Sequence, residues 1–122
     1  MKDKKLYYKD CHLAGRKYHD ADEVFDQLKV GQVVSLQYEP DNRYDENAVQ
    51  VIYSARNAET GEDTDYILGY IPRSDNYDIA LFLRQGWTDL FECRISQIDP
   101  YVQPEQQIHL TIRIKPTNIT IR

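Results

Sequence analysis

Glycine and proline are scarce in this chain, five of each in 122 residues, which excludes a collagen-like repeat and a long low-complexity segment. No apolar run approaches the roughly 20 residues that a helix needs to span a bilayer. The start, Met1-Lys2-Asp3-Lys4-Lys5, leads into Tyr7 and Tyr8 rather than a signal-peptide core, so the expectation is a cytoplasmic protein. Cysteine is limited to Cys11 and Cys93, without CxxC spacing, which argues against a zinc site and predicts two buried free thiols. His12, His19 and His109 share no metal-binding or triad spacing, and neither Ser54 nor Ser74 sits in a nucleophile elbow. No glycine-rich phosphate loop is present. These absences disfavour an ordinary enzyme, and no cofactor or metal is expected. Positive charge is also in deficit, 15 Lys and Arg against 20 Asp and Glu, for a net charge of −5. Phosphate neutralisation by Lys and Arg supplies much of nucleic-acid affinity, so a nucleic-acid partner would require a local basic face. The acidic residues gather at 20–26 and 59–65, which leaves Lys4, Lys5, Arg16, Lys17, Arg43 and Arg73 to form one.

What the chain does contain is a β-rich pattern on a length suited to a single domain, 1–122. A first strand is expected over about 5–13, then strands on either side of residues 39–47, a hairpin with its tip at 57–65, and a fourth strand over about 66–71. Phe91, Cys93 and Ile95 alternate with polar residues, as do Ile108, Leu110, Ile112 and Ile114, which predicts two half-buried strands joined by a polar loop over 100–107. Two short helices complete the set. Asp20 with Glu23 has the spacing of a capping box ahead of Val24, Phe25 and Leu28, with Gly31 closing the helix. Ser74 is placed to cap a helix through Ile79, Ala80 and Leu83 that ends at Gly86. The fold class is mainly β, an OB-like or SH3-like six-stranded barrel whose connections cluster at one mouth.

The most informative stretch is Glu39-Pro40-Asp41-Asn42-Arg43-Tyr44-Asp45-Glu46-Asn47-Ala48-Val49, a polar segment between two strand-like runs. A calcium loop fails on Arg43 at the third ligand position and on the lack of glycine at the sixth. A two-metal nuclease site built on Glu39, Asp41, Asp45 and Glu46 lacks a recognisable second half. An Asx-rich turn, with Asp41, Asn42 and Asn47 bonding nearby backbone amides, accounts for part of the segment but gives no role to Tyr44 and Asp45. Tyrosine is the compositional outlier, with ten residues. Tyr7, Tyr53 and Tyr66 are expected to line the core. Tyr18 follows Arg16 and Lys17, Tyr44 adjoins Arg43, and Tyr70 lies close to Arg73. Aromatics stack on unpaired bases while cations meet phosphates, which is the chemistry of single-strand binding. The same residue types also dominate protein-binding hot spots, so a protein-interaction adaptor stays open as the alternative.

The segment 36–49, with Glu-Pro ahead of Tyr44-Asp45-Glu46-Asn47-Ala48, resembles the HIRAN domain, and so do Ala14-Gly15, Gly31 and Gly69-Tyr70-Ile71-Pro72. The resemblance is strongest over 6–115 and is to a stand-alone, bacterial-type member without the helicase that the best-understood members carry. It implies an OB-like fold that captures the 3′-hydroxyl end of single-stranded DNA, without catalysis of its own and in a DNA-repair setting. By that similarity Asp45 accepts a hydrogen bond from the terminal hydroxyl, Tyr44 and Tyr18 stack on or enclose the last bases, and Lys17 and Arg73 hold phosphate. Tyr70 stands where helicase members carry His, Lys17 where they carry Arg, and Arg43 where they carry Pro. A helicase or other repair protein acting in trans is the implied partner, with no membrane involved. A metal-dependent nuclease is the remaining reading.

Overall fold

A computed structural model describes residues 4–15 and 19–116. The strands are β1 (Leu6–His12), β2 (Val33–Tyr38), β3 (Val49–Arg56), β4 (Asp63–Tyr70), β5 (Phe91–Ile98) and β6 (Ile108–Ile114). Three short helices join them, α1 (Ala21–Val24), α2 (Tyr77–Arg84) and α3 (Pro104–Gln107), with a 3-10 turn, Phe25–Gln27, directly after α1. All ladders are antiparallel and form one sheet in the order β1-β6-β5-β2-β3-β4. Strand β2 turns the corner of this sheet. Its first two residues, Val33 and Val34, pair with β5, and Ser35 to Tyr38 pair with β3.

The sheet is not closed by a ladder. Among the described residues, the chain just after β1 meets β4 through a single bridge, Ala14 to Tyr70, in which each amide bonds the other residue's carbonyl at 2.8 and 2.9 Å. Gly69 makes this approach possible, because a Cβ there would lie 2.4 Å from the Ala14 carbonyl oxygen. Nearby, the Asp20 amide bonds the Ile67 carbonyl and the Asp20 carboxylate accepts from the Ile67 amide. The result is a barrel-like, strongly turned sheet with a seam between the end of β1 and β4. Its core is aliphatic: Leu13, Leu68, Ile79, Ile108, Leu110 and Ile112 are fully buried. Each such side chain contributes ~1.5–3 kcal/mol through removal from water.

Several sequence expectations are corrected by this arrangement. The first helix is four residues long, and Asp20 makes no side-chain cap because its carboxylate is turned to the edge of β4. The residue before α2 is Asn76, not Ser74, whose hydroxyl bonds the Asp75 carboxylate instead. The loop over 100–107 contains α3, started by Pro104, where the fixed proline φ suits a first turn. Tyr7 is exposed, with its hydroxyl on Asp10, and Tyr8 packs against Phe91 in its place. A register shift between Tyr7 and Lys9 exchanges the faces that neighbouring residues would otherwise take. Tyr53 and Tyr66 do pack on the core, and Cys11 and Cys93 are buried free thiols. Burial pushes the Cys11 thiol up to about 12 and raises that of Cys93 as well.

Candidate functional site

The connection between β2 and β3 is built by its own polar side chains. Asn42 Oδ1 accepts the amides of Tyr44 and Asp45 at 2.8 and 2.9 Å, and Asp45 Oδ1 accepts the amide of Asn47 at 2.9 Å. Two successive Asx turns thus fix the loop's course. Asn42 itself is anchored, since its Nδ2 donates to Glu39 Oε1 at 2.7 Å. Glu39 also accepts from the Tyr70 hydroxyl at 2.7 Å and from Gln50 Nε2 at 2.8 Å. One carboxylate therefore ties the loop to β3 and β4. The expected amide bonds from Asp41 and Asn47 are not the ones that form. Among the described residues Asn42 and Asp45 make them, whereas Asn47 Oδ1 accepts from Arg84 at 3.3 Å.

This scaffold holds Tyr44 outward, 85% exposed. Asp45 points the other way, toward α2, where its Oδ2 accepts from Asn76 Nδ2 at 2.7 Å. Arg73 closes the far side, donating to the Tyr44 carbonyl and lying 3.7 Å from the Asp45 carboxylate. Tyr70 lies on the wall below, its ring 5.1 Å from that of His19. Burial, and then the hydrogen bond to Glu39, hold the Tyr70 phenol above its usual value. Ala14, Gly15, Asn42, Tyr44, Asp45, Tyr70 and Arg73 border a groove of about 270 Å³. Gly15 takes φ +70° there, a left-handed turn that glycine adopts without cost.

Of the six residues singled out in the sequence, the structure brings Tyr44, Asp45, Tyr70 and Arg73 to one groove. Lys17 and Tyr18 lie outside the described residues. The chain on either side of them, at Ala14 and Asp20, is fastened to β4. Of the cations expected to form a basic face, Lys5 is paired with Glu92 at 2.6 Å, and Arg73 is the one described cation that borders the groove. The sequence reading gave no role to His19 or Asn76 and treated Glu39 only as a possible metal ligand. The signal for Asn76 was available, since Asn is as good a residue as Ser immediately before a helix. Among the described residues no group of three or more His, Cys, Asp or Glu is placed to hold a metal ion.

The geometry offers an exposed aromatic face, a carboxylate acceptor held by two amides, and a guanidinium within one groove. It can stack on a flat ring, accept a hydrogen bond from a hydroxyl and meet an anion.

Comparison with known proteins places the chain in a family and a fold. The HIRAN domain family model matches residues 6–116. A Fanconi-associated nuclease 1 homolog from Oryza sativa subsp. japonica is 28% identical over 107 residues, which are 87% of this chain and 9% of that protein's length. A crystal structure of a protein from Lactobacillus plantarum superposes with a TM-score of 0.69 at 26% identity, covering 94% of this chain and 99% of the other.

Proposed function

The chain belongs to the HIRAN domain family, known as a DNA-binding module, and from that premise we propose that it is a non-catalytic module for single-stranded DNA that prefers a free 3′-hydroxyl end. The observation that carries this reading is the pairing of Tyr44 and Asp45 on one rigid loop, with Arg73 beside them. The Asp45 carboxylate keeps lone pairs free after bonding Asn47 and Asn76, and one of them accepts the terminal hydroxyl. The Tyr44 ring stacks on a base, and Arg73 meets a phosphate. Any chemistry done on the strand is supplied by a partner, a helicase or another repair protein, and this chain supplies the grip on the strand end.

The test is a titration by fluorescence anisotropy with matched oligonucleotides whose 3′ ends are free or phosphorylated, with and without magnesium. The expected result is tighter binding to the free end, no cleavage, and a slope of log K against log salt of about −1 to −3, at ~0.7 per contacted phosphate on a single strand. Equal affinity for both ends would overturn the end preference, and cleavage on adding magnesium would overturn the non-catalytic role.

A further inference from the structure

Helix α2 ends in a stop made by two backbone bonds. Gly86 turns through φ +97°, its amide bonds the Leu83 carbonyl at 3.0 Å, and the Trp87 amide bonds the Phe82 carbonyl at 3.0 Å. This pattern, a Schellman motif, fixes where Trp87 leaves the helix. Trp87 is the chain's one tryptophan, and it is 62% exposed. Among the described residues its indole N–H has no hydrogen-bond partner. Phe82 is exposed as well and meets Phe91 edge-on at 6.1 Å between ring centres. An exposed tryptophan held in a fixed place beside other aromatics has the composition of a protein-binding hot spot.

Two grooves adjoin this corner. One, of about 260 Å³, is bordered by Trp87, Leu90 and Pro116. The other, of about 230 Å³, opens where β2 parts from β5 after Val34 and turns to β3, and is bordered by Val33, Leu36, Leu83 and Phe91. Asp89 and Lys115 border both, and the Lys115 ammonium meets the Asp89 carboxylate at 2.5 Å. Glu92, the remaining charge at the β2–β5 groove, is taken up by Lys5 and Arg94. The face is therefore electrically matched although the chain carries a net charge of −5. A second copy meeting it brings no uncompensated like charge against it.

We infer that this face is where two copies of the chain pair, across a two-fold axis that passes through the Asp89–Lys115 pair. A face that carries an acid beside a base, with an exposed ring to one side and an apolar hollow to the other, is complementary to itself. The half-turn sets each carboxylate against the other copy's ammonium and seats each Trp87 in the other copy's β2–β5 groove. Tyr44, Asp45, Tyr70 and Arg73 border neither groove, so pairing leaves the strand-binding site of each copy open.

The experiment is sedimentation velocity across a dilution series from near-millimolar to low micromolar, with tryptophan emission recorded on the same samples. The mass should fall from two chains to one on dilution, and the emission of Trp87 should move to longer wavelength with the same midpoint. Trp87→Ala should weaken pairing at least about tenfold, the loss expected of a hot-spot residue. Asp89→Lys and Lys115→Asp each set like charges across the axis, so each alone should be a monomer where the wild type is paired. Mixed one to one, the two variants should pair again. A single chain's mass at every concentration would overturn the proposal, and so would growth beyond two chains. Emission from Trp87 that does not change as the pair dissociates, or charge variants that fail to restore pairing when mixed, would overturn the assignment of this face.

Discussion

The sharpest prediction concerns Asp45, because the structure gives its carboxylate a scaffolding role beside its proposed binding role. The side chain is 19% exposed, accepts the Asn47 amide at 2.9 Å and accepts Asn76 Nδ2 at 2.7 Å. Asp45→Ala leaves the Asn76 N–H unpaired inside the protein, a cost of ~1–3 kcal/mol. The ion pair with Arg73 adds little, since that guanidinium is 70% exposed and 3.7 Å away. A total near 2 kcal/mol lowers the melting temperature by roughly 6 to 10 °C for a domain of this size. Asp45→Asn separates the two roles. Its carboxamide oxygen still accepts from Asn47, and its NH₂ donates to Asn76 Oδ1 once that amide turns over, so stability falls by less than about 1 kcal/mol. Binding through a charged acceptor is worth ~1.5–3 kcal/mol against ~0.5–1.5 for a neutral one, so affinity for a free 3′ end drops about five- to tenfold. Affinity for a phosphorylated end should not fall. Thermal melts and anisotropy titrations on both variants measure this. An Asp45→Asn variant that binds free and phosphorylated ends as the wild type does would refute the assignment of the hydroxyl to Asp45.

Two further outcomes test the framework around the site. Gly69→Ala forces a Cβ to within 2.4 Å of the Ala14 carbonyl oxygen and should cost about 1 to 3 kcal/mol in denaturant unfolding, whereas wild-type stability would contradict the seam as described. Hydrogen bonds from Arg94 and Lys5 hold Glu92 at about 2, below its usual 4.5, so its contribution is present above pH ~4.5 and is lost as pH falls toward 2. Glu92→Gln should therefore be less stable than wild type at pH 6, with the gap narrowing at pH 3, and a gap of constant size would refute the cause given.

The sequence made β5 and β6 legible because one face of each is core, so hydropathy reports the pleat directly. It made the reach of β3 and β4 less legible, since their outer halves, Ser54 to Arg56 and Asp63 to Asp65, pair beyond the core and carry one small apolar residue, Ala55. The exchange of Tyr7 for Tyr8 turns on one irregularity in register, which no periodicity carries. In the groove, Tyr44 and Asp45 stood out because an Asx turn gave them no purpose. Glu39 and Asn76 did not stand out, because the contacts that define them, to Tyr70 and Asp45, each span 31 residues of chain. The bond that ties Asp45 to Asn76 was hidden for the same reason, although its bond from the Asn47 amide is local.

The incomplete closure of the sheet has a consequence for the edge that β4 presents. An unpaired edge strand is a template for pairing with another copy, and β4 would be such a template. At its inner end the outward backbone groups are instead engaged by non-strand residues, Ala14 on Tyr70 and Asp20 on Ile67. Two clasps set three β4 residues apart occupy backbone groups with which a foreign strand would otherwise pair. Beside the first clasp the chain turns through Gly15 at the rim of the groove. The same few backbone bonds thus cover this end of the β4 edge and set one rim of the groove.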